Sequence, residues 1–289
     1  TAAPDGTLRV HTKTAKPLAA RSIRNVHRAA FQALARAVQH GHLERNPAAA
    51  AESVLPTPPA RPLRALTRQQ TDRLLAAAEG HRYESLLIVK SELGARIGEL
   101  LGLTWPAVDW ARGTLSIVQQ FVPSPVAAPA FAEPKSATGI RTLYLTARAR
   151  RALERQREMQ SSDRLRWQAS AKSRWGSGPA LVFATPWGGP ILESNVARAL
   201  HRLCTRVGLP ADVTPHYLRH TSATRLLHEG VDLVTVSAIL GHADAGFTAR
   251  TYGYTFPDTQ REAMARLDRA RDERATDANP PPRTATKAS

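Results

Sequence analysis

The sequence predicts a mostly helical fold carrying a small β-sheet, an α+β class. Three observations predict it. Apolar residues recur at spacings of three and four through most of the 289 residues. Strand-like runs are confined to residues 114–146 and to Leu181-Val182-Phe183. Glycines and prolines, such as Gly41, the cluster from Pro56 to Pro62, and Gly94, fall at the joints between these patterns. Apolar residues make up 42% of the chain, enough for one or two domains with real cores. No apolar run approaches the roughly 18 residues that span a bilayer.

Taken in order, residues 1–19 show no clear period. Ala20 to about His40 is expected to be a helix, with Ile23, Val26, Ala30 and Leu34 on its apolar face and Arg21, Arg24 and Arg28 on an adjoining one. Gly41 suits its C-cap, and Ala48–Glu52 suits a short helix after the Asn46-Pro47 turn. Pro56, Pro58, Pro59 and Pro62, mixed with Arg61 and Arg64, read as an extended basic linker over 56–66. Thr67 and Gln70 form a capping-box pattern that opens a helix to about Gly80. Tyr83–Leu93 and Ile97–Leu103 follow as helices, separated by Gly94. Thr114–Val122 and Arg141–Thr146 are expected strands, with Pro123–Pro129 as a turn or loop between them. Ala147–Gln168 is helical, Leu181–Phe183 is a strand, and Trp187-Gly188-Gly189 is a tight turn. Helices are then expected at Ser194–Val207, Pro215–Glu229, Leu233–Leu240 and Asp258–Arg271, ahead of a disordered tail with Pro280-Pro281-Pro282.

Composition narrows the partners. Lys and Arg number 40 against 24 Asp and Glu, a formal net charge of +16. Such a surplus attracts a polyanion, nucleic acid first. An Arg-rich genome of high GC content produces the same surplus, so charge carries weight only beside motifs. Residues 1–46 hold eight Lys/Arg and two acids, Asp5 and Glu44. The one cysteine, Cys204, cannot staple a fold or build a thiolate metal site, and it reads as a small core residue. The start, Thr1-Ala2-Ala3-Pro4-Asp5, has neither a secretory layout nor an initiating Met. The expectation is a cytoplasmic chain that is a fragment or a truncated gene product.

Chemistry concentrates in His216-Tyr217-Leu218-Arg219-His220. Three apart on a helix, His216 and Arg219 share a face. An imidazole that handles protons beside a planar guanidinium fork suits a phosphate in reaction. The blander reading of an isolated HxxR is a core histidine beside a surface arginine. A zinc reading pairs His216 with His220, but Tyr217 stands where the Glu of HExxH would be and no third ligand is near. Leu240-Gly241-His242 follows, with Tyr252 ten residues beyond His242. Upstream stand Gly94-Ala95-Arg96-Ile97-Gly98-Glu99 and Pro134-Lys135-Ser136.

In this order the motifs resemble those of the tyrosine recombinase family, and most of all its phage and mobile-element integrases. The resemblance runs from about Ala20 to Asp268 and is most specific from Pro215 to Tyr254. It implies a tyrosine-recombinase catalytic domain over 67–273, preceded by a partial helical core-type DNA-binding domain over 1–55 and the linker 56–66, with a tail over 274–289. It implies that Arg96 is the first catalytic arginine, that Glu99 supports it, and that Lys135 is a lysine carried on a β-hairpin. By the same resemblance His216 and Arg219 are the middle histidine and second arginine, His242 occupies a histidine-or-tryptophan position, and Tyr252 is the nucleophile. The implied activity is site-specific strand cleavage and rejoining through a 3′-phosphotyrosyl intermediate, integrating or excising a mobile element, with no metal or cofactor. The implied partners are double-stranded DNA, further copies in a synaptic tetramer that exchange the helix Asp258–Arg271, and accessory DNA-bending or directionality factors. No membrane is involved. Arg21, Arg24, Arg28, Arg61, Arg64 and Arg141 are the expected DNA contacts.

The physics suits those roles. Two arginines can clamp the non-bridging oxygens of a pentavalent phosphate. A phenol with a pKa of about 10 needs help to attack, and a lysine can protonate the leaving 5′ oxygen. Two features depart from the pattern. Too few residues precede Ala20 to supply the further helices of the family's first domain, and Tyr254 stands where many relatives carry histidine. Trp105, Trp110 and Trp187 read as packing residues. The competing functions are a metal-dependent transposase or nuclease, for which the acids Glu99, Asp109 and Asp244 form no matching set, and a non-enzymatic DNA-binding remnant.

Overall fold

A computed structural model of the chain describes residues 17–59, 65–123, 130–134, 136–168, 179–242 and 244–252, together with Met264 and Asp268. The chain forms two compact units, divided between Pro62 and Leu63. The expected helix Asp258–Arg271 (apart from Met264 and Asp268), the tail, Tyr254, Arg61, Arg64 and Lys135 lie outside the described residues.

In the first unit, α1 (Ala20–Gln39) packs against a 3-10 segment, Pro47–Val54. Asn46 joins them. Its Oδ1 accepts from the Ala48 N–H at 3.0 Å and its Nδ2 donates to Phe31 O at 3.0 Å, while His27 Nε2 lies 2.8 Å from Ala48 O. The covered stripe therefore runs through Ile23, His27, Phe31, Leu34 and Val38, all half-buried. Val26 and Ala30, expected on that face, are exposed. The reason is that the short segment touches one narrow side of α1, and no residue of the helix is fully buried.

The second unit is built around α3 (Glu84–Leu93), which packs on α5 (Ala147–Gln168) and α7 (Pro215–His228). Residues 85–91 and Leu93 are all buried, as expected for a helix apolar on nearly every side. α2 (Arg68–Ala77) opens with the Thr67–Gln70 capping box, both bonds present. α4 (Ile97–Leu101), α6 (Glu193–Arg206), α8 (Leu233–Leu240) and α9 (Ala245–Tyr252) complete the described helices. None of them is long and apolar enough to cross a membrane.

Strands β1 (Val108–Asp109), β2 (Thr114–Ile117) and β5 (Arg141–Tyr144) form an antiparallel sheet in the order β1-β2-β5. Leu115 pairs with Leu143 and both point into the core, which fixes the register. β3 (Gln120–Val122) and β4 (Ala130–Ala132) form a separate hairpin. The single strand expected over Thr114–Val122 is thus two strands in two sheets. The chain leaves the first sheet at Val118-Gln119, where Gln119 Nε2 donates to Gly102 O at 2.8 Å. Leu181–Phe183 is not a strand either. It is held by one bridge from Leu181 to Thr104 and a bond from the Val182 N–H to Leu103 O at 2.8 Å. Cys204 is buried in the core. Trp105 and Trp110 stack at 6.3 Å, and Trp105 Nε1 donates to Gln160 Oε1 at 2.8 Å.

Candidate active site

The site gathers on the last turn of α8. That helix starts at Asp232, whose Oδ1 accepts from the N–H groups of Val234 and Thr235 at 2.9 Å each. It ends at Gly241, whose φ of 67° turns the chain out of the helix. The final carbonyls of a helix have no partner within it and carry its negative partial charge. Three guanidinium groups take three consecutive ones. Arg141 Nε donates to Ile239 O at 2.7 Å, Arg219 Nη2 to Leu240 O at 2.7 Å, and Arg96 Nη2 to Gly241 O at 2.8 Å. A Cβ on Gly241 would lie 2.6 Å from Arg141 Nη1, so the glycine of Leu240-Gly241-His242 serves both the left-handed turn and the approach of Arg141.

Glu99 holds two of the three arginines. Its Oε1 accepts from Arg96 Nη1 at 2.8 Å and Arg141 Nη1 at 3.0 Å. Its Oε2 accepts from Arg141 Nη2 at 2.9 Å and from the backbone N–H of Arg96 at 2.7 Å. The carboxylate is 1% exposed. Burial alone would raise its pKa, but the hydrogen bonds and charge of Arg141, and then the hydrogen bonds of Arg96, outweigh burial and hold it below the ordinary value. Three guanidiniums against one carboxylate leave a local surplus of two positive charges.

Arg219 is the most enclosed of the three, at 2% exposure, and its Nη1 also donates to Gly94 O at 2.9 Å. A Cβ on Gly94 would meet Leu240 Cδ2 at 2.8 Å and Ser222 Oγ at 2.9 Å, so this glycine lets α3 end hard against α7 and α8. Burial, then the charge of Arg96, pulls the Arg219 pKa down to about 10. The adjacent Ala95 carbonyl accepts from Lys90 Nζ at 2.5 Å. Lys90 is wholly buried, and burial, followed by the charge of Arg219, brings its pKa down to about 7. The short loop that presents Arg96 is thereby tied at Gly94, Ala95 and Arg96 itself.

Three histidines and a tyrosine face these cations. Burial, then the charges of Lys90, Arg219 and Arg96, lowers the His216 pKa. His242 Nδ1 lies 2.7 Å from Thr248 Oγ1, and burial followed by Arg219 takes its pKa to about 4. Tyr252, the last described residue of α9, is 1% exposed. Its hydroxyl lies 2.7 Å from His220 Nδ1, and the His216 and His220 rings meet edge-on with centroids 4.5 Å apart. Burial pushes the phenol up to about 12 against the opposing charge of Arg219.

The structure therefore brings Arg96, Glu99, His216, Arg219, His242 and Tyr252 into one cluster from α3–α4, α7, α8 and α9. Arg141, expected to contact DNA, turns inward within the chain. Its side chain is 8% exposed and its guanidinium is committed to Glu99, Gly139 O and Ile239 O, because its strand faces the end of α8 and not solvent. Arg21, Arg24 and Arg28 line an open cleft of about 550 Å³ in the first unit, where Arg24 Nε donates to Pro56 O at 2.8 Å. The described residues contain no group of three His, Cys, Asp or Glu side chains placed to hold a metal ion.

Residues 64–257 match the family model described as the phage integrase family. The chain belongs to that family of tyrosine recombinases. A tyrosine recombinase XerC-like protein of Caldanaerobacter subterraneus is 28% identical over 245 residues, covering 80% of this chain and 62% of that protein. An integrase of Streptomyces ambofaciens is 32% identical over 249 residues, covering 82% and 61%. The chain thus spans about three fifths of the length of these relatives. Among solved structures, the Tn1549 transposon integrase in complex with transposon right end DNA superposes with a TM-score of 0.72 at 24% identity, covering 87% of this chain and 80% of that one. A lambda integrase dimer bound to a COC′ core site gives 0.55 at 19% identity, covering 80% and 59%. Both likenesses concern the fold.

Within this phage integrase fold, sequence reasoning missed Lys90 and the use of His220. A lone lysine inside the apolar run Glu84–Leu93 was a signal, since a charge there must be buried with a purpose. His220 was legible only as a would-be zinc partner of His216.

Proposed function

We propose that the chain is the catalytic part of a site-specific DNA recombinase, and that it integrates or excises a mobile element. The observation that carries this is the surplus of positive charge at the end of α8, where Arg219 is buried and Arg96 part-exposed, set beside a tyrosine hydroxyl. Three arginines gather there about one carboxylate, which pairs with two of them, so the cluster favours an anion. Arg96 is held by Gly241 O and Arg219 by Leu240 O in fixed orientations, and each has further N–H groups for the non-bridging oxygens of a phosphodiester. Arg141 keeps Glu99 and α8 in register and does not meet DNA.

In this reading Tyr252 attacks the phosphorus and displaces the 5′ oxygen, which takes a proton from Lys135. The covalent 3′-phosphotyrosyl bond keeps the energy of the broken phosphodiester, so the reverse attack by a 5′-hydroxyl rejoins strands without ATP. His216 and His242 bond the phosphoryl oxygens. The segments 1–55, 56–66, 67–273 and 274–289 act as partial DNA-binding domain, linker, catalytic domain and tail. Arg21, Arg24, Arg28, Arg61 and Arg64 contact backbone phosphates. Four copies assemble on two duplexes, exchanging the segment 258–271, with accessory bending or directionality proteins choosing the direction.

The test is a pool of random-sequence duplexes, each with a nick that lets the 5′ fragment diffuse away after cleavage. Incubated in EDTA, the chain is expected to give an SDS-resistant protein–DNA adduct whose recovered DNA defines the site. Cleavage that needs a divalent cation and leaves no adduct would instead indicate a metal-dependent nuclease. Binding with neither adduct nor cleavage would indicate a DNA-binding remnant.

A further inference from the structure

We propose that His220 is a catalytic residue, the group that takes the proton from Tyr252 as the tyrosine attacks. This rests on the recombinase reading above and adds a residue to it. The geometry is direct: Nδ1 of His220 and the hydroxyl of Tyr252 are 2.7 Å apart, a full hydrogen bond between an imidazole nitrogen and a phenol. Tyr252 is 1% exposed and His220 half-buried, so the imidazole is the acceptor that the phenol meets directly. α7 places His220 one residue after Arg219, so the proton acceptor and a phosphate clamp move as one body.

The charges around the ring decide its resting state. His216 and Arg219 on α7, Lys90 on α3, His242 beyond α8 and Tyr252 on α9 are the titratable and charged groups that face it. Burial and these cations oppose an imidazolium and bring the His220 pKa down to about 4. A neutral ring has one unprotonated nitrogen, and a phenol O–H pointing at Nδ1 selects the tautomer with its proton on Nε2. The same cations that oppose the imidazolium are offset when a phosphate arrives among them. The proton acceptor is therefore weak in the free protein and strengthened by its substrate.

The step balances. As the bond from Tyr252 Oη to phosphorus forms, the phenol proton passes along the existing hydrogen bond to Nδ1. The bond from phosphorus to the 5′ oxygen breaks, and that oxygen takes its proton from a separate donor. On rejoining, the 5′-hydroxyl attacks and gives its proton back to that donor, Oη leaves, and His220 returns the proton to Oη.

The experiment uses the duplex site recovered from the nicked pool, made once with the ordinary 5′ oxygen and once with a 5′-bridging sulfur, whose thiolate leaves without a proton. His220→Ala is expected to slow adduct formation on the order of 10²–10³-fold on both duplexes. Its rate should climb with pH toward phenol ionisation, while DNA affinity stays at the wild-type value. His220→Gln, which keeps a polar group of similar size but cannot carry the proton, should be comparably slow, and added imidazole should partly restore His220→Ala. Lys135→Ala should be slow on oxygen and recover on sulfur. If His220→Ala matches or exceeds the wild-type rate, the bond is a latch that keeps Tyr252 buried and the proposal fails. Full activity in His220→Gln also defeats it. No adduct from the wild-type chain on either duplex overturns the recombinase reading itself, a result distinct from a wild-type adduct unchanged by these variants.

Discussion

Glu99 shows what a single residue decides here. Its carboxylate sits 1% exposed between Arg96 and Arg141 and receives four donors. Removing one partner of a buried charge set costs far more than the set contributes, because the other charges remain without compensation. Glu99→Gln is therefore expected to destabilise the second unit by about 3 kcal/mol in urea denaturation at pH 7. The folded pKa of Glu99 lies below its ordinary 4.5, so its contribution is complete above that value and is lost as pH falls through the lower folded one. The gap between wild type and Glu99→Gln should then narrow as pH drops below 4.5; a constant gap would mean that Glu99 acts through shape alone. Arg96, Glu99, His216, Arg219, His242 and Tyr252 were legible as a set because their motifs, in that order, resemble those of the tyrosine recombinases. Lys90, His220 and the inward turn of Arg141 were not, since each depends on which element lies opposite. A strand residue such as Arg141 shows its neighbour along the chain, not the α8 carbonyl it will meet.

At the scale of elements, α8 is the organising piece. Its capped start and left-handed end aim three carbonyls at three arginines. Gly241→Ala must both strain a φ of 67° and place a Cβ 2.6 Å from Arg141. Gly113 has a similar φ of 64° but open space around it. Gly113→Ala should cost about 1 kcal/mol from the backbone alone, whereas Gly241→Ala should cost about 2–4 kcal/mol and reduce adduct yield. Equal costs in parallel denaturation curves would show that the approach of Arg141 is not what the glycine protects. Helices were the legible elements, because a period of 3.6 and Gly, Pro or capping residues mark them. The strand over 114–122 was misread because an apolar run does not show where Gln119 leaves the ladder for Gly102 O. α9 was missed because eight residues of mixed polarity carry little period; its one mark is Asp244, whose Oδ1 accepts from the Gly246 N–H at 2.7 Å.

For the whole molecule, the net charge of +16 and the arginines of both units predict DNA binding driven by counterion release. Affinity for a mixed duplex pool should fall about 10³-fold or more between 50 and 200 mM salt if six or more phosphates are contacted. A flat salt response would remove the polyanion reading. Light scattering should give a monomer without DNA and a multimer on it, and a stable tetramer without DNA would contradict DNA-driven assembly. Tyr252 is the residue expected to carry the strand. Peptide mapping of the adduct trapped on a nicked duplex, run beside Tyr252→Phe, checks that assignment. A nucleotide linked through phosphate is expected on Tyr252, with no adduct from Tyr252→Phe, which should bind DNA as the wild type does because only one hydroxyl is lost. Attachment at any other residue, or an adduct that survives Tyr252→Phe, would contradict it.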